Sequence, residues 1–223
     1  MFSDDLSSMT IGGIGGMGAG TTDLGPTPAP PLWVQAKAQL ETLQKADPDF
    51  LEATFLAQAS KTFASVLAAE GVMDASAIAA LVTPGYLQHF QARIDDWKGG
   101  GFTRVVSDLS LDSPTTFKVS IGGDTQAITV RFTGSVKRFT REDMTNIVSD
   151  GSAQAASFTE FATFVRPAGS TTPKTAALAG ALHCPSCGAP VTDGALKCTF
   201  CGATVSGSGG SWLLDKTSAS AYT

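Results

Sequence analysis

Two short cysteine segments mark the C-terminal part of the sequence: Cys184-Pro185-Ser186-Cys187-Gly188 and, after nine further residues, Cys198-Thr199-Phe200-Cys201-Gly202. They contain all four cysteines of the 223-residue chain. Each CxxC pair is followed by glycine, as in a tight turn that presents two thiolates to one metal ion. The spacing predicts a tetrahedral zinc site whose ligands are Cys184, Cys187, Cys198 and Cys201.

Other uses of paired CxxC motifs fit this sequence less well. Disulfides need an oxidising compartment, and the N-terminal residues do not resemble a secretory signal. A redox CxxC is usually single and begins a helix. Iron, held as in rubredoxin, uses similar spacing and stays an alternative. Four thiolates leave no open coordination position, so we expect one structural ion, with His183 at the surface.

The segments on either side of the cysteines indicate an insertion. A spacer of small residues follows Arg166-Pro167, and a second spacer, residues 207–210, precedes Trp212-Leu213-Leu214-Asp215-Lys216. Flexible spacers on both sides of a metal module are typical of a module that is inserted into a loop. We therefore expect strands at 158–166 and 212–216 to pair antiparallel, with a zinc ribbon in place of their hairpin turn.

Composition limits the classes of function. A chain that is 43% hydrophobic and 16% charged can bury one core and carry a small module besides. A net charge of −5 and a pI near 4.9 argue against a broad nucleic-acid footprint or a basic membrane patch. No run approaches eighteen uninterrupted apolar residues, so no bilayer-spanning segment is predicted. Four metal-bound thiolates fit a reducing cytoplasm.

Residues 1–31 have the Gly- and Pro-rich composition of a linker. Gly13 to Gly18 matches GxGxxG, but no strand precedes it and no βαβ unit follows, so dinucleotide binding is not predicted. We expect a flexible tail, with docking on a partner as the alternative.

Helical periodicity follows the prolines. Apolar residues from Trp33 to Leu43 indicate a first helix, and Asp47-Pro48 resembles an N-cap followed by proline at the first helical position. A second helix is predicted from Asp49 to about Glu70, ended by Gly71, with a stripe that consists of Leu51, Phe55, Ala59, Phe63 and Leu67. A short helix at 74–82 and a third helix, capped by Thr83-Pro84 and running to about Trp97, complete this half.

Beyond Gly99-Gly100-Gly101 the apolar period changes to two, which indicates strands. Residues 102–111 form a first strand, and a hairpin with a turn at Gly122-Gly123-Asp124 follows. We expect a bend near Gly134 and a polar connection over 140–156 before the strand at 158–166.

Helices followed by a bent antiparallel sheet predict a cone-shaped α+β domain of the NTF-two/cystatin-like kind. Such a cone encloses an apolar space between helices and sheet, filled by core side chains or open to a hydrophobic ligand. The residues expected there are Phe63, Leu67, Phe90, Trp97, Val130, Phe132, Phe164 and Trp212. The domains expected are a tail (1–31), the cone (32–167 plus 211–217), the ribbon (183–205) with linkers 168–182 and 206–210, and a C-terminal tail (218–223).

One family shares this order of residues. Asp47-Pro48-Asp49-Phe50, Leu81-Val82-Thr83-Pro84, the run 161–166 and Trp212-Leu213-Leu214 resemble the C-terminal domain of the forty-four-kilodalton tether subunit of the mitochondrial inner-membrane translocase. The insert resembles that of bacterial relatives with a zinc ribbon. The resemblance covers about 47–217. It implies a non-enzymatic adaptor that binds protein partners in transport or assembly, cytoplasmic or peripheral to the inner membrane, with contact to lipid or a hydrophobic ligand.

Two other classes of function are alternatives. A cone-cavity isomerase or hydrolase needs a carboxylate with His or Tyr, and the candidates are His89, Asp95-Asp96 and Tyr86; we expect His89 and the carboxylates on a solvated face. A nucleic-acid-reading ribbon needs cations, but only Lys197 lies between the knuckles. We therefore predict no catalytic residues, no organic cofactor and no nucleic-acid partner.

Overall fold

Three helices precede a five-stranded antiparallel sheet in the computed structural model, which describes residues 31–172, 182–183, 189–191, 200–201 and 211–220. Residues 1–30 of the expected N-terminal tail, residues 221–223 of the expected C-terminal tail and most of the ribbon lie outside these residues, and Ser218, predicted in the C-terminal tail, belongs instead to the last strand. The helices are α1 (Leu32–Ala46), α2 (Glu52–Val72) and α3 (Pro84–Gly99), with a 3-10 turn at Ala75–Ile78. The strands are β1 (Phe102–Leu111), β2 (Thr115–Gly122), β3 (Thr125–Glu142), β4 (Val148–Pro167), β5 (Leu182–His183), β6 (Pro190–Val191) and β7 (Leu213–Ser218).

The long strand β3 is the centre of the sheet. Its first half pairs with β2, its second half pairs with β1, and β4 pairs along its other edge. Gly134 lies where the partner changes from β2 to β1. A Cβ there would lie 2.0 Å from the backbone oxygen of Ser110, so only glycine allows the two strands to approach this closely.

The two strands that flank the cysteine segments are neighbours, as the sequence predicted. Val165 pairs with Leu213 and Phe161 pairs with Ser218 in an antiparallel ladder, although the ribbon sequence lies between them in the chain. The other edge of β7 is also used, because Leu214 N donates to Leu81 O (2.9 Å). The predicted antiparallel pairing of these two strands is confirmed.

One face of the sheet carries the core. Alternate residues of β3 are buried under the helices: Ile128, Val130 and Phe132 are each fully inaccessible. Phe63 of α2 stacks on Phe132 with a centroid separation of 4.4 Å. We call this side the helix-covered face and the opposite side the outer face.

The start and end of α2 differ from the prediction. The helix begins at Glu52 rather than Asp49, and Asp47 is not its N-cap but follows α1, because its carboxylate is used in a buried ion pair described below. Leu51, predicted in the apolar stripe, is 62% exposed. Gly71 does not end the helix; it lies within α2, where its missing Cβ makes room for Val106 of β1. The helix ends at Val72, and its C-cap residue Met73 is in the left-handed region.

Two further predictions are wrong in part. The expected polar connection over 140–156 is instead a hairpin, in which β3 continues to Glu142 and β4 begins at Val148. The β4 strand of this arm is largely exposed and consists mostly of polar and small residues, so no apolar alternation marks it, whereas Phe139 and Thr140 on the β3 strand are buried. The predicted helix at 74–82 is only the 3-10 turn. The cap of α3 is confirmed, since Thr83 Oγ1 accepts from Tyr86 N.

Candidate functional site: the inserted ribbon and its anchor

The described part of the ribbon is small. β5 and β6 pair antiparallel, with Leu182 opposite Val191 and His183 opposite Pro190. The sequence that joins these two strands contains Cys184 and Cys187. A short hairpin around a CxxC pair is the backbone arrangement that a zinc knuckle requires, so the thiolate donor set fits a zinc ion. Of the four predicted ligands only Cys201 is described, and it is exposed; the other three lie outside the described residues.

A buried ion pair lies where the chain leaves β4 towards the ribbon. Arg166, whose side chain is fully buried, donates from Nη2 to Asp47 Oδ2 (2.9 Å) and from Nε to Gln126 Oε1 (2.7 Å). Thr172 closes the group: its backbone N (2.9 Å) and its Oγ1 (2.7 Å) both donate to Asp47 Oδ2. The first residues of the ribbon's linker are therefore tied to the end of α1. We call Asp47, Gln126, Arg166 and Thr172 the anchor.

The surroundings of Asp47 favour the charged form of its carboxyl group. Burial by itself would raise the pKa of Asp47, but the hydrogen bonds from Thr172 and Arg166 outweigh burial and lower that pKa below its ordinary value. The Arg166 guanidinium also lies over the Trp212 ring, 4.5 Å from its centroid. Arg166 thus contacts both chain segments that flank the insertion, one ahead of the ribbon and one after it.

A second buried cluster joins α2 to β1 and β3. Glu70 Oε1 accepts from Arg104 Nε (2.7 Å) and Arg138 Nε (3.0 Å), and Glu70 Oε2 accepts from Arg138 Nη2 (2.7 Å). Arg138 Nη1 also donates to Glu160 Oε1 (2.6 Å), and Arg104 Nη1 donates to Thr140 Oγ1 (2.9 Å). Each buried charge therefore has an opposite charge in contact with it.

The same cluster shifts two pKa values. Burial would raise the pKa of Glu70, yet the two arginines hold it below its usual range. Burial would lower the pKa of Arg138, but Glu70 and Glu160 raise it. Both carboxylate oxygens of Glu70 accept hydrogen bonds from arginines, and Arg138 donates to two carboxylates. The arrangement holds α2 on the sheet, which is a structural role.

The residues predicted to line an apolar space lie in one cluster. Six of them, Phe63, Leu67, Phe90, Val130, Phe132 and Phe164, are buried, and Trp97 and Trp212 are partly buried and pack against them. Phe164 contacts Phe55 edge to face at 5.7 Å, and Trp212 contacts Phe55 at 5.3 Å. These contacts support the packed-core reading of this set; whether the core opens to a ligand stays a prediction.

The residues considered for an enzyme lie on α3. His89, Asp95 and Asp96 are exposed, on the side of the helix that faces away from the core. Tyr86 is partly buried, and burial raises its pKa above the ordinary value. The structure therefore does not bring these residues together around an apolar pocket.

A family model of the Tim44-like domain matches residues 36–175, and a zinc-ribbon domain model matches residues 183–205. The first match covers more than half of the chain. The chain belongs to the Tim44-like domain family. The resemblance drawn from Asp47-Pro48, Leu81-Val82-Thr83-Pro84 and the Trp212 strand is confirmed, together with the α+β fold class and the assignment of a zinc ribbon to the cysteine segments.

Other comparisons add little to this assignment. A search of curated proteins found no significant match. Among solved structures, the crystal structure of the intermembrane space region of the chloroplast protein ARC6 is 7% identical, with a TM-score of 0.35, and covers 73% of this chain and 94% of that one. The structure of TsrD from Streptomyces laurentii is 20% identical, with a TM-score of 0.25, and covers 51% and 81%. Neither likeness carries a conclusion about this chain.

Membership of the Tim44-like family fits a non-catalytic role associated with transport, and the ribbon match fits zinc binding. In the part of the chain that the structure describes, none of the helices has the length and apolar character to cross a bilayer.

Sequence reasoning missed both buried charge clusters. In the sequence, Asp47 resembles a helix N-cap, Arg166 ends a predicted strand within a family-like motif, and Glu70 marks only the end of a helix. One signal was available: Glu70 lies on the same helical face as Phe63 and Val66, where an unpaired carboxylate would be costly, and such a position calls for a buried cation.

Proposed function

We propose that this chain is a non-catalytic adaptor that binds protein partners through the Tim44-like domain and presents a zinc ribbon to them. The ribbon holds one structural zinc ion through Cys184, Cys187, Cys198 and Cys201. Its role is to give a fixed shape to about twenty residues that are too few to fold on a core of their own.

The observation that carries the proposal is the anchor at the base of the insertion. β4 and β7 pair directly, so the sheet is complete without the ribbon. The chain nevertheless leaves β4 under restraint, because Asp47 holds Thr172 and Arg166 together. The sheet does not need the insertion, yet the chain at the base of the insertion is held in place. This arrangement is expected of a module that contacts another protein.

The proposal places the protein in the cytoplasm, either free or at the periphery of the inner membrane. A reducing compartment keeps four cysteines available as thiolates. The net charge of −5 is unfavourable for an anionic membrane surface, so we place protein contacts ahead of lipid contacts.

The test is partner capture with three versions of the intact chain. The first is wild type. The second joins Thr172 to Ser211 through a short Gly-Ser linker, which removes the ribbon and keeps the anchor. The third carries Cys198→Ser, which removes one predicted zinc ligand. Chemical cross-linking in cells followed by mass spectrometry then compares the proteins that each version binds.

We expect one set of proteins to cross-link to wild type and to be lost from both altered chains. Circular dichroism should show that the helices are kept in all three. Equal capture by all three versions would contradict a role for the ribbon. Turnover of a small substrate by wild type, lost on changing Tyr86 or a nearby carboxylate, would contradict the non-catalytic assignment.

A further inference from the structure

The outer face of the sheet carries a row of polar and positively charged side chains. The register places Lys118 opposite Thr129, Thr129 opposite Thr163, and Thr163 opposite Lys216. Residues that are paired in this way lie on the same face, so these four form one row across four strands. Three spacings between strands put the two lysines about 14 Å apart at their backbones.

A second row lies beside the first. Arg131 of β3 is opposite Phe161 of β4, which is opposite Ser218 of β7. Phe117, at a bulge in β2, packs edge to face on Phe161 with a centroid distance of 4.8 Å. The two rows therefore combine cations, hydroxyl groups and a partly buried pair of aromatic rings. We call the residues of these two rows, with Phe117, the outer-face patch.

The charge of this patch is opposite to that of the protein. The whole chain carries −5, yet neither row contains Asp or Glu. Thr133, two residues beyond Arg131 on the same strand, donates from Oγ1 to Asp112 Oδ2, and this carboxylate marks one border of the patch. Lys118 and Arg131 are exposed. Lys216 and Ser218 take part in other contacts of the chain, so the binding charge rests on Lys118 and Arg131.

A shallow depression of about 50 Å³ lies within the patch, between the lysines and beside Phe117 and Phe161. Its lining combines the Lys118 and Lys216 side chains with the Thr129 and Thr163 hydroxyl groups, and such groups suit a carboxylate. The rings meet edge to face and are half-buried, so they offer an apolar flank rather than an open stacking platform.

We propose that the outer-face patch binds an acidic peptide segment of a protein partner, with one apolar side chain of that segment against Phe117 and Phe161. Carboxylates of the segment pair with Lys118 and Arg131, and the Thr129 and Thr163 side chains border the site. This proposal deepens the adaptor function and rests on it, but it assigns the contact to a face that does not include the ribbon.

The test measures fluorescence anisotropy of a labelled peptide, Asp-Glu-Asp-Phe-Asp-Glu-Asp, with the full chain. The altered chain carries Lys118→Gln and Arg131→Gln. Its matched control carries Lys37→Gln and Lys61→Gln, which remove two exposed helix cations and give the same net charge. The control peptide is Asn-Gln-Asn-Phe-Asn-Gln-Asn. Thermal unfolding confirms that both altered chains fold.

We expect the acidic peptide to bind wild type and the Lys37/Lys61 control within twofold of each other. The Lys118/Arg131 variant should bind about tenfold more weakly, and 0.5 M salt should weaken all binding, because exposed charge pairs are screened. The amide peptide should bind at least tenfold more weakly. In amide NMR spectra the shifts on binding should map to β2, β3 and β4.

Three results would overturn the proposal: equal binding by the Lys118/Arg131 variant, shifts confined to the helices, or tighter binding of an eight-nucleotide oligothymidylate at the same cations. A ribbon-deleted chain should still bind the peptide. If the peptide did not bind but partner capture still depended on the ribbon, the outer-face patch alone would be rejected. If the peptide bound but partner capture did not depend on the ribbon, the role of the ribbon alone would be rejected.

Discussion

Arg166 Nη2 lies 2.9 Å from Asp47 Oδ2, and this contact joins the C-terminal end of β4 to the residue that follows α1. The two side chains are at most 2% exposed. Because Thr172 donates to the same oxygen, the ion pair also holds the beginning of the linker to the ribbon. One buried charge pair thus connects the first helix, the sheet and the inserted module.

Asp47→Asn should destabilise the protein strongly, since it leaves the buried Arg166 without an opposite charge. Loss of one partner of a buried pair costs about 3–5 kcal/mol, and the amide oxygen of Asn recovers a part, so we expect about 3 kcal/mol. Urea unfolding at pH 7 measures this. Asp49→Asn, at an exposed position two residues on, is the control and should change little. Equal stability of the two variants would show that the anchor is unimportant.

Glu70→Gln should change how stability depends on pH. The folded-state pKa of Glu70 is lowered, so its contribution is present above its unfolded pKa of about 4.3 and is lost as pH falls through the folded value. The difference in unfolding free energy between wild type and Glu70→Gln should be largest near pH 7 and shrink below about pH 4. Unfolding curves from pH 7 to pH 3 measure this, with exposed Glu41→Gln as control. A difference that stays constant to pH 3 would refute the assignment.

Gly134→Ala should destabilise the sheet, because the added Cβ would meet the Ser110 oxygen. Forced shifts of this kind cost about 1–3 kcal/mol, which corresponds to a fall in Tm of roughly 6 °C for a chain of this size. Gly122→Ala places its Cβ more than 4 Å from other atoms and is the matched control. Differential scanning calorimetry distinguishes the two. If both variants melted together, the close approach of β1 to β3 would be wrong.

The sequence predicted those elements whose burial follows a simple period. The turn at Gly122-Gly123-Asp124 and the alternation on both sides of it predicted the β2–β3 hairpin, and the spacers around the cysteines predicted the pairing of β4 with β7. Family-like motifs then indicated the fold class. These patterns predict structure because the positions of apolar side chains indicate which face of a helix or strand is buried.

Other features leave no periodic signal. The β4 strand of the β3–β4 arm is largely exposed from Val148 to Ser157, so its backbone pairing does not appear as apolar alternation. Asp47 resembled a helix cap because capping and ion pairing use the same side chain. Its partner Arg166 is far away in sequence, and only the folded sheet brings the two together. Charge pairs of this kind are set by topology, which local sequence patterns do not contain.

The central claim is an intact α+β domain that carries an inserted zinc ribbon, and metal analysis of the purified full chain tests it most directly. We predict one zinc ion per chain, lost in a Cys184→Ser, Cys201→Ser variant whose urea unfolding midpoint matches wild type, because the sheet closes without the ribbon. A wild-type chain without zinc or iron, or a variant whose helical signal is lost together with the metal, would contradict the claim.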